Sequence, residues 1–196
     1  MMVAISRNSL MSLEEYATKR KDFRARVMAH KHNRKVHLGE HVTLLFEDEL
    51  TIRYQIQEML RAERIFEEDG IVDELEAYNP LVPDGSNWKA TMLIEYPDEL
   101  ERKNALAKLI DIEDKVWIQV DGQAKVFAIA DEDLERETAE KTSSVHFLRF
   151  ELTAPMKDAL KRGQPLAVGI DHSNYRVALE KVPEAVRQSL INDLAL

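Results

Sequence analysis

Apolar residues recur along this chain with two different periods, and the period changes midway. In the first half they fall three or four apart. Leu13, Tyr16, Phe23 and Val27 follow Ser12, and Ser12 with Glu15 makes the S-x-x-E pattern of a capping box. The spacing predicts a helix over 12–30, closed by the cationic run "HKHNRK", which suits a helix C-terminus. "KVHLGEHVTLLFED" then switches to alternation, as one or two strands, with Val42, Leu44 and Phe46 out of phase with Thr43, Leu45 and Glu47. Ile52, Ile56, Met59, Leu60 and Phe66 mark an apolar stripe on a second helix over 50–68, with Gly70 ending it. "IVDELEAY" reads as a shorter helix stopped at Asn79-Pro80, because the residue before proline is pushed out of the α region. After the turn-rich "NPLVPDGSN" come a strand, "WKATMLIEY", and a helix, "DELERKNALAKLI".

The second half reads mostly as strands: "KVWIQV", "KVFAIA", "VHFLRFELT", "PLAVGI" and "YRVALEKV". "DEDLERETAEKTSS" between the second and third is a long charged excursion. A short helix starts at Pro155, and "PEAVRQSLINDLAL" closes the chain as another. Helices early and strands late predict an α+β fold with a mostly antiparallel sheet packed against helices, and an N-terminal helical region. The expected core includes Leu44, Phe46, Ile56, Leu60, Leu93, Ile118, Phe127, Leu148, Phe150 and Val168.

Charge divides the chain. Residues 1–40 hold nine Lys or Arg against four Asp or Glu, while the remainder of the 196 residues holds eighteen against thirty-two. This predicts a basic N-terminal arm over 1–40 packing on a single acidic domain over 41–196. An acidic body disfavours nucleic acid. The arm, with Lys19, Arg20, Lys21, Arg24, Arg26, Lys31, Arg34 and Lys35, leaves phosphate contact as a minor alternative. No cysteine is present, which excludes disulfides, thiolate metal sites and cysteine nucleophiles and fits a reducing cytoplasm. No apolar run reaches the roughly 18 residues of a membrane span, and the N-terminus lacks the order of a signal peptide.

Candidate chemistry is sparse. G-x-G-x-x-G, the P-loop, G-x-S-x-G, H-E-x-x-H and the E-x-x-H of di-iron bundles are all absent. Tyr54, Gln55, Glu58 and Arg61 form a polar band beside the stripe of the 50–68 helix. Its ordinary reading is a solvated face, and its others are a buried network or a ligand site. Glu58 and Arg61, three apart at the edge of the stripe, are expected to pair and to be partly buried. Truncating Glu58 should then cost on the order of 2 kcal/mol. His146 alternates in phase with Leu148 and Phe150, so a satisfied core histidine is its ordinary reading; Arg149 lies on the same strand. His172 follows Asp171 just past a strand end. A site joining Glu58, Glu95, His146 and His172 through oxygen and nitrogen ligands is conceivable, but no metal or cofactor is indicated by a motif.

The stretches "FEDELTIRYQIQEMLRAERI", "ELEAYNPLVP", "VHFLRFEL" and "GIDHSNY", with "KVHLGEHVTLLFE" before them and "LINDLAL" at the end, resemble a bacterial family of unknown function. Genes of that family often neighbour rubrerythrin-like proteins and iron–sulfur proteins of the heterodisulfide-reductase type. The resemblance implies a non-catalytic accessory or binding protein working with a redox partner. It carries no catalytic residues. An oxygen- and nitrogen-ligated metalloenzyme is the alternative of a different class.

Overall fold

A computed structural model describes residues 4–195 of the chain. It is an α+β fold with two antiparallel sheets. Ser12 caps the first helix, α1 (Leu13–His32), accepting a hydrogen bond from the Glu15 backbone N–H. Strands β1 (Lys35–Leu38) and β2 (Val42–Glu47) make a hairpin. Gly39 sits in its turn at φ 70°, and a Cβ there would lie 2.6 Å from the Tyr175 hydroxyl, so glycine is needed twice over.

Helix α2 (Glu49–Ala62) starts at Asp48, whose carboxylate caps the Thr51 N–H while the Thr51 hydroxyl accepts from the Asp48 N–H. Here the structure corrects the expected helix over 50–68. α2 stops at Ala62, Arg64 takes a positive φ of 55°, and α3 (Glu68–Tyr78) begins anew with Gly70 inside it. Phe66 falls in the break and is 73% exposed, because the stripe it would have continued ends four residues earlier.

Strand β3 (Asn87–Ile94) follows, then α4 (Glu99–Lys108) and β4 (Val116–Val120). "KVFAIA" is not one strand. Its residues form β5 (Val126–Phe127), paired with β4, and β6 (Ile129–Ala130), paired with β7 (Val145–Glu151). The chain passes from one sheet to the other at the buried Ala128. Helix α5 (Ala154–Lys161), strands β8 (Leu166–His172) and β9 (Tyr175–Leu179), and helix α6 (Glu184–Ile191) complete the fold. The closing segment is helical only to Ile191, and Leu196 lies outside the described residues.

One sheet has the order β1-β2-β3-β7-β6 and the other β5-β4-β8-β9. Their inner faces share one core: Leu44, Phe46, Trp88, Met92, Leu148 and Phe150 from the first meet Ile118, Val168 and Ile170 from the second, with residues of α4, α5 and α6. Two expected core residues fall elsewhere. Leu93 is half-buried because Trp88, Ala90 and Met92 take the inward phase of β3, which puts odd positions on the outer face. Phe127 is 44% exposed, on a two-residue strand that pairs along one side alone. Ile56 and Leu60 are buried, but in a satellite cluster with Ile5, Leu10, Ile52, Ile71 and Leu75 rather than between the sheets.

Candidate functional site

A strand with one face in the core turns alternate residues away from it. In β3 the alternation that sends Trp88 and Ala90 inward sends Lys89 outward, beside Arg149 of β7. Helices α2 and α3 and the turn Asn79–Leu81 stand over this outer face without closing on it. They leave a cleft of about 570 Å³, within the range of small-molecule sites. Met59, Tyr78, Pro80, Leu81 and Phe147 give it apolar walls, Lys89, Arg136 and Arg149 give it cations, and Glu74, Glu76, Glu132 and Asp133 give it acids.

Two of those cations are spoken for. Arg149 donates Nε and Nη2 to Glu132, each at 2.8 Å, and Nη1 to Glu151. Arg136 forks onto Asp133 at 2.5 and 2.7 Å, reaches Asp131 at 3.3 Å, and lies 4.6 Å over the Phe147 ring. The arginines hold the Glu132 and Asp133 carboxyls below the usual range. Lys89 differs: among the described residues no carboxylate lies within ion-pair distance of its ammonium. Burial, and then the charge of Arg149, push its pKa down. Glu74, at the helical wall, is pushed up by burial and by Asp73.

The polar band of α2 does not enter this cleft. α1 and α2 run antiparallel, and Tyr54 is buried between them against Phe23. Glu58 is half-buried and paired, but its partner is Arg20 rather than Arg61. Arg20 Nε and Nη2 donate to its two oxygens at 2.7 and 2.9 Å, and the Tyr16 hydroxyl donates at 2.6 Å. The neighbouring helix delivers a fork face-on, whereas a residue one turn along the same helix reaches only obliquely. Arg20 is the largest cause, followed against burial by Tyr16, that lowers Glu58 to about 2; burial first, and then the same carboxylate, raise the Tyr16 phenol. Gln55 and Arg61 are exposed.

Nor do Glu58, Glu95, His146 and His172 converge. Glu95 is exposed and accepts from the Thr43 hydroxyl at 2.9 Å. His172 accepts from the Asn174 N–H, which leaves Nε2 to donate to the Ile110 carbonyl at 2.8 Å. His146 is fully buried. Its Nδ1 lies 2.5 Å from Asp131 Oδ2, and its Nε2 lies 3.0 Å from the Ser143 carbonyl, 2.9 Å from Thr142 Oγ1 and 3.8 Å from Glu113 Oε2. Glu113, Asp131 and His146 each offer a ligand atom within 4.8 Å of the others. As arranged they form a hydrogen-bonded network: two atoms 2.5 Å apart sit closer than ligands about 2.1 Å from one ion usually do. Burial raises the Glu113 carboxyl, against the pull of its backbone hydrogen bond and then of His146. Asp131 has a positive φ of 48° and also accepts from the Phe147 N–H, so it pins the start of the 131–144 excursion to β7.

Of the candidate site residues that the sequence suggests, Arg149 alone lines the cleft. Lys89 carries one faint signal, a cation in phase with Thr91 and Leu93 on a strand whose other phase is apolar, while Glu132 and Arg136 lie in the charged excursion, where no periodicity marks them.

No curated protein matches this chain. A crystal structure of a novel protein of unknown function from Burkholderia pseudomallei K96243 is similar to it at 58% identity, with a TM-score of 0.94, covering 98% of this chain and all of the other. The family model described as protein of unknown function, DUF3501, matches residues 4–194. With its paired sheets, its helical cover and nearly every residue matched, the chain belongs to the DUF3501 family.

Proposed function

We propose that this is a binding protein for a small amphipathic organic anion, held in the cleft between the α2–α3 layer and the outer face of β3 and β7. The observation that carries this reading is Lys89. It is a half-buried ammonium facing a cavity, with no carboxylate partner among the described residues, beside two arginines already saturated by acids. Glu132, Asp84 and Glu151 act on Lys89 only from a distance. A ligand carboxylate or phosphate supplies the direct ion-pair partner, and Met59, Leu81 and Phe147 take its apolar body. The cleft offers charge and shape rather than a nucleophile paired with a base, which favours binding over turnover. A role beside redox partners would run through ligand occupancy, since a chain without cysteine supplies no thiolate of its own.

The test is calorimetric titration with medium-chain alkyl and aryl carboxylates and the matching alcohols. Carboxylates should bind, alcohols should not, and Lys89→Met should weaken binding at least about tenfold, or 1.4 kcal/mol. Equal binding of acid and alcohol, or an unchanged affinity in Lys89→Met, would remove the basis of this reading.

A second reading is favoured by the convergence of Glu113, Asp131 and His146: a divalent cation bound through oxygen and nitrogen. It requires the Asp131–His146 contact to open. Elemental analysis after purification without chelator, with manganese, iron and zinc titrations on wild type and His146→Ala, decides it. Absence of both stoichiometric metal and a thermal shift would end it.

A further inference from the structure

On the far side of α2 from the ligand cleft, α1 and α2 enclose a groove of about 550 Å³. Arg20, Lys21 and Arg24 of α1 and Arg61 of α2 line it, together with the exposed Ala17 and Ala25. We propose that this groove binds a compact multivalent oxyanion of the pyrophosphate or polyphosphate-ester class.

The spacing is the first support. Positions 17, 21 and 25, with 20 and 24 beside them, share one stripe of α1, so three cations stand together on consecutive turns. Like charges at that spacing cost helix stability, and a bound anion reverses the sign. The short alanine side chains leave space between the cations, and guanidinium forks match phosphate oxygens in two-point contact.

Charge balance is the second. In a chain of net charge −9, the one ion pair that these four cations make among the described residues is Arg20 with Glu58. Glu58 takes Arg20 through Nε and Nη2 and so aims its remaining Nη1, while Lys21, Arg24 and Arg61 form no ion pair among the described residues. Glu58 thus acts as the positioning residue of the groove, fixing one guanidinium while three charges stay free. Arg61, which sequence spacing suggested as the partner of Glu58, instead completes the cationic rim.

Size and surroundings choose among anions. The groove is bounded by a body carrying thirty-two acids against eighteen cations over residues 41–196. An extended nucleic acid would have to run beyond this patch onto a body of net negative charge, which repels it. A groove of about 550 Å³ is of small-ligand size, the class of two or three linked phosphates.

The experiment is calorimetric titration of the full chain with pyrophosphate and inorganic triphosphate at about 50 mM salt, where screening is moderate. Sodium chloride at matched ionic strength and a single-stranded oligonucleotide serve as controls. Pyrophosphate should bind and raise Tm, chloride should not, and the Arg24→Ala/Arg61→Ala double variant should bind at least about tenfold more weakly. Both side chains are exposed, so circular dichroism and Tm of the free variant should match wild type. Lys89→Met should leave pyrophosphate binding unchanged, which separates this groove from the carboxylate cleft. No heat with pyrophosphate, equal affinity in the double variant, or oligonucleotide binding tighter than triphosphate would overturn the proposal.

Discussion

Arg34 and Asp193 stand 159 positions apart in sequence and meet as a buried two-point pair, Nη1 at 3.1 Å from Oδ1 and Nη2 at 2.5 Å from Oδ2. The same guanidinium donates Nε to the Phe46 carbonyl and Nη2 to the Glu47 carbonyl. One side chain therefore ties the segment after α1 to β2 and to the chain's end, and the Trp88 indole donating to the Leu190 carbonyl reinforces the knot. Arg34→Ala strands the buried Asp193 carboxylate and should cost about 3–5 kcal/mol in urea unfolding. Asp193→Ala leaves Arg34 its carbonyl acceptors and the Asp48 carboxylate at 3.5 Å and should cost less, with the double variant costing much less than the sum of the two. Additive losses would mean that the two act independently.

Glu58 makes stability depend on acid. Its folded pKa of about 2 lies below the ordinary 4.5, so its ion pair stabilises the protein fully above pH 4.5. That contribution fades as the pH falls from there toward 2. Partial exposure and screening limit it to about 1–2 kcal/mol. In Glu58→Gln, stability at pH 7 should be lower than wild type, and the two curves should approach each other between pH 4.5 and 2. Parallel curves in chemical denaturation at several pH values would contradict this.

Lys89 should behave in the opposite way to Arg34. It is partly desolvated and has no paired acid to strand among the described residues, so Lys89→Met should leave Tm unchanged or raise it slightly, within about 0.5 kcal/mol. A loss above about 2 kcal/mol in differential scanning calorimetry would give the residue a structural role instead of a ligand-facing one.

The Asp131–His146 contact should govern the 131–144 excursion. Asp131→Ala removes the acceptor for both the imidazole and the Phe147 N–H, leaving two buried donors at a cost of about 2–4 kcal/mol. The loss should be local first. Amide exchange and proteolytic nicking should rise in residues 132–141 well before the sheets open. Uniform exchange across the chain would show that the excursion unfolds only with the whole.

Much of this fold was legible in sequence because period and capping are local. Ser12 with Glu15 and the alternation of "VHFLRFEL" each depend on neighbours a few residues away. The errors lie where a local pattern was overruled from a distance. Phe66 continued the stripe of α2 on paper, but the chain turns at Arg64 and leaves it in solvent. Glu58 had a spacing-compatible arginine three residues on, and the packing of α1 supplied a better-placed one. The cleft was the least readable, since Met59, Tyr78, Lys89, Arg136 and Phe147 come from five separate segments. No periodicity records that segments so far apart will face one another.

The crossing at Ala128 has a mechanical consequence. Two residues before it are hydrogen-bonded into one sheet and two after it into the other, so only this alanine spans the gap. A spacer that short has no slack to stretch. Pulling the sheets apart must first unzip β5 or β6, and a chain severed there would lose the tether that keeps both halves in register. The molecule is in this sense stapled by its own backbone, and it is a poor candidate for division into independently expressed fragments at this point.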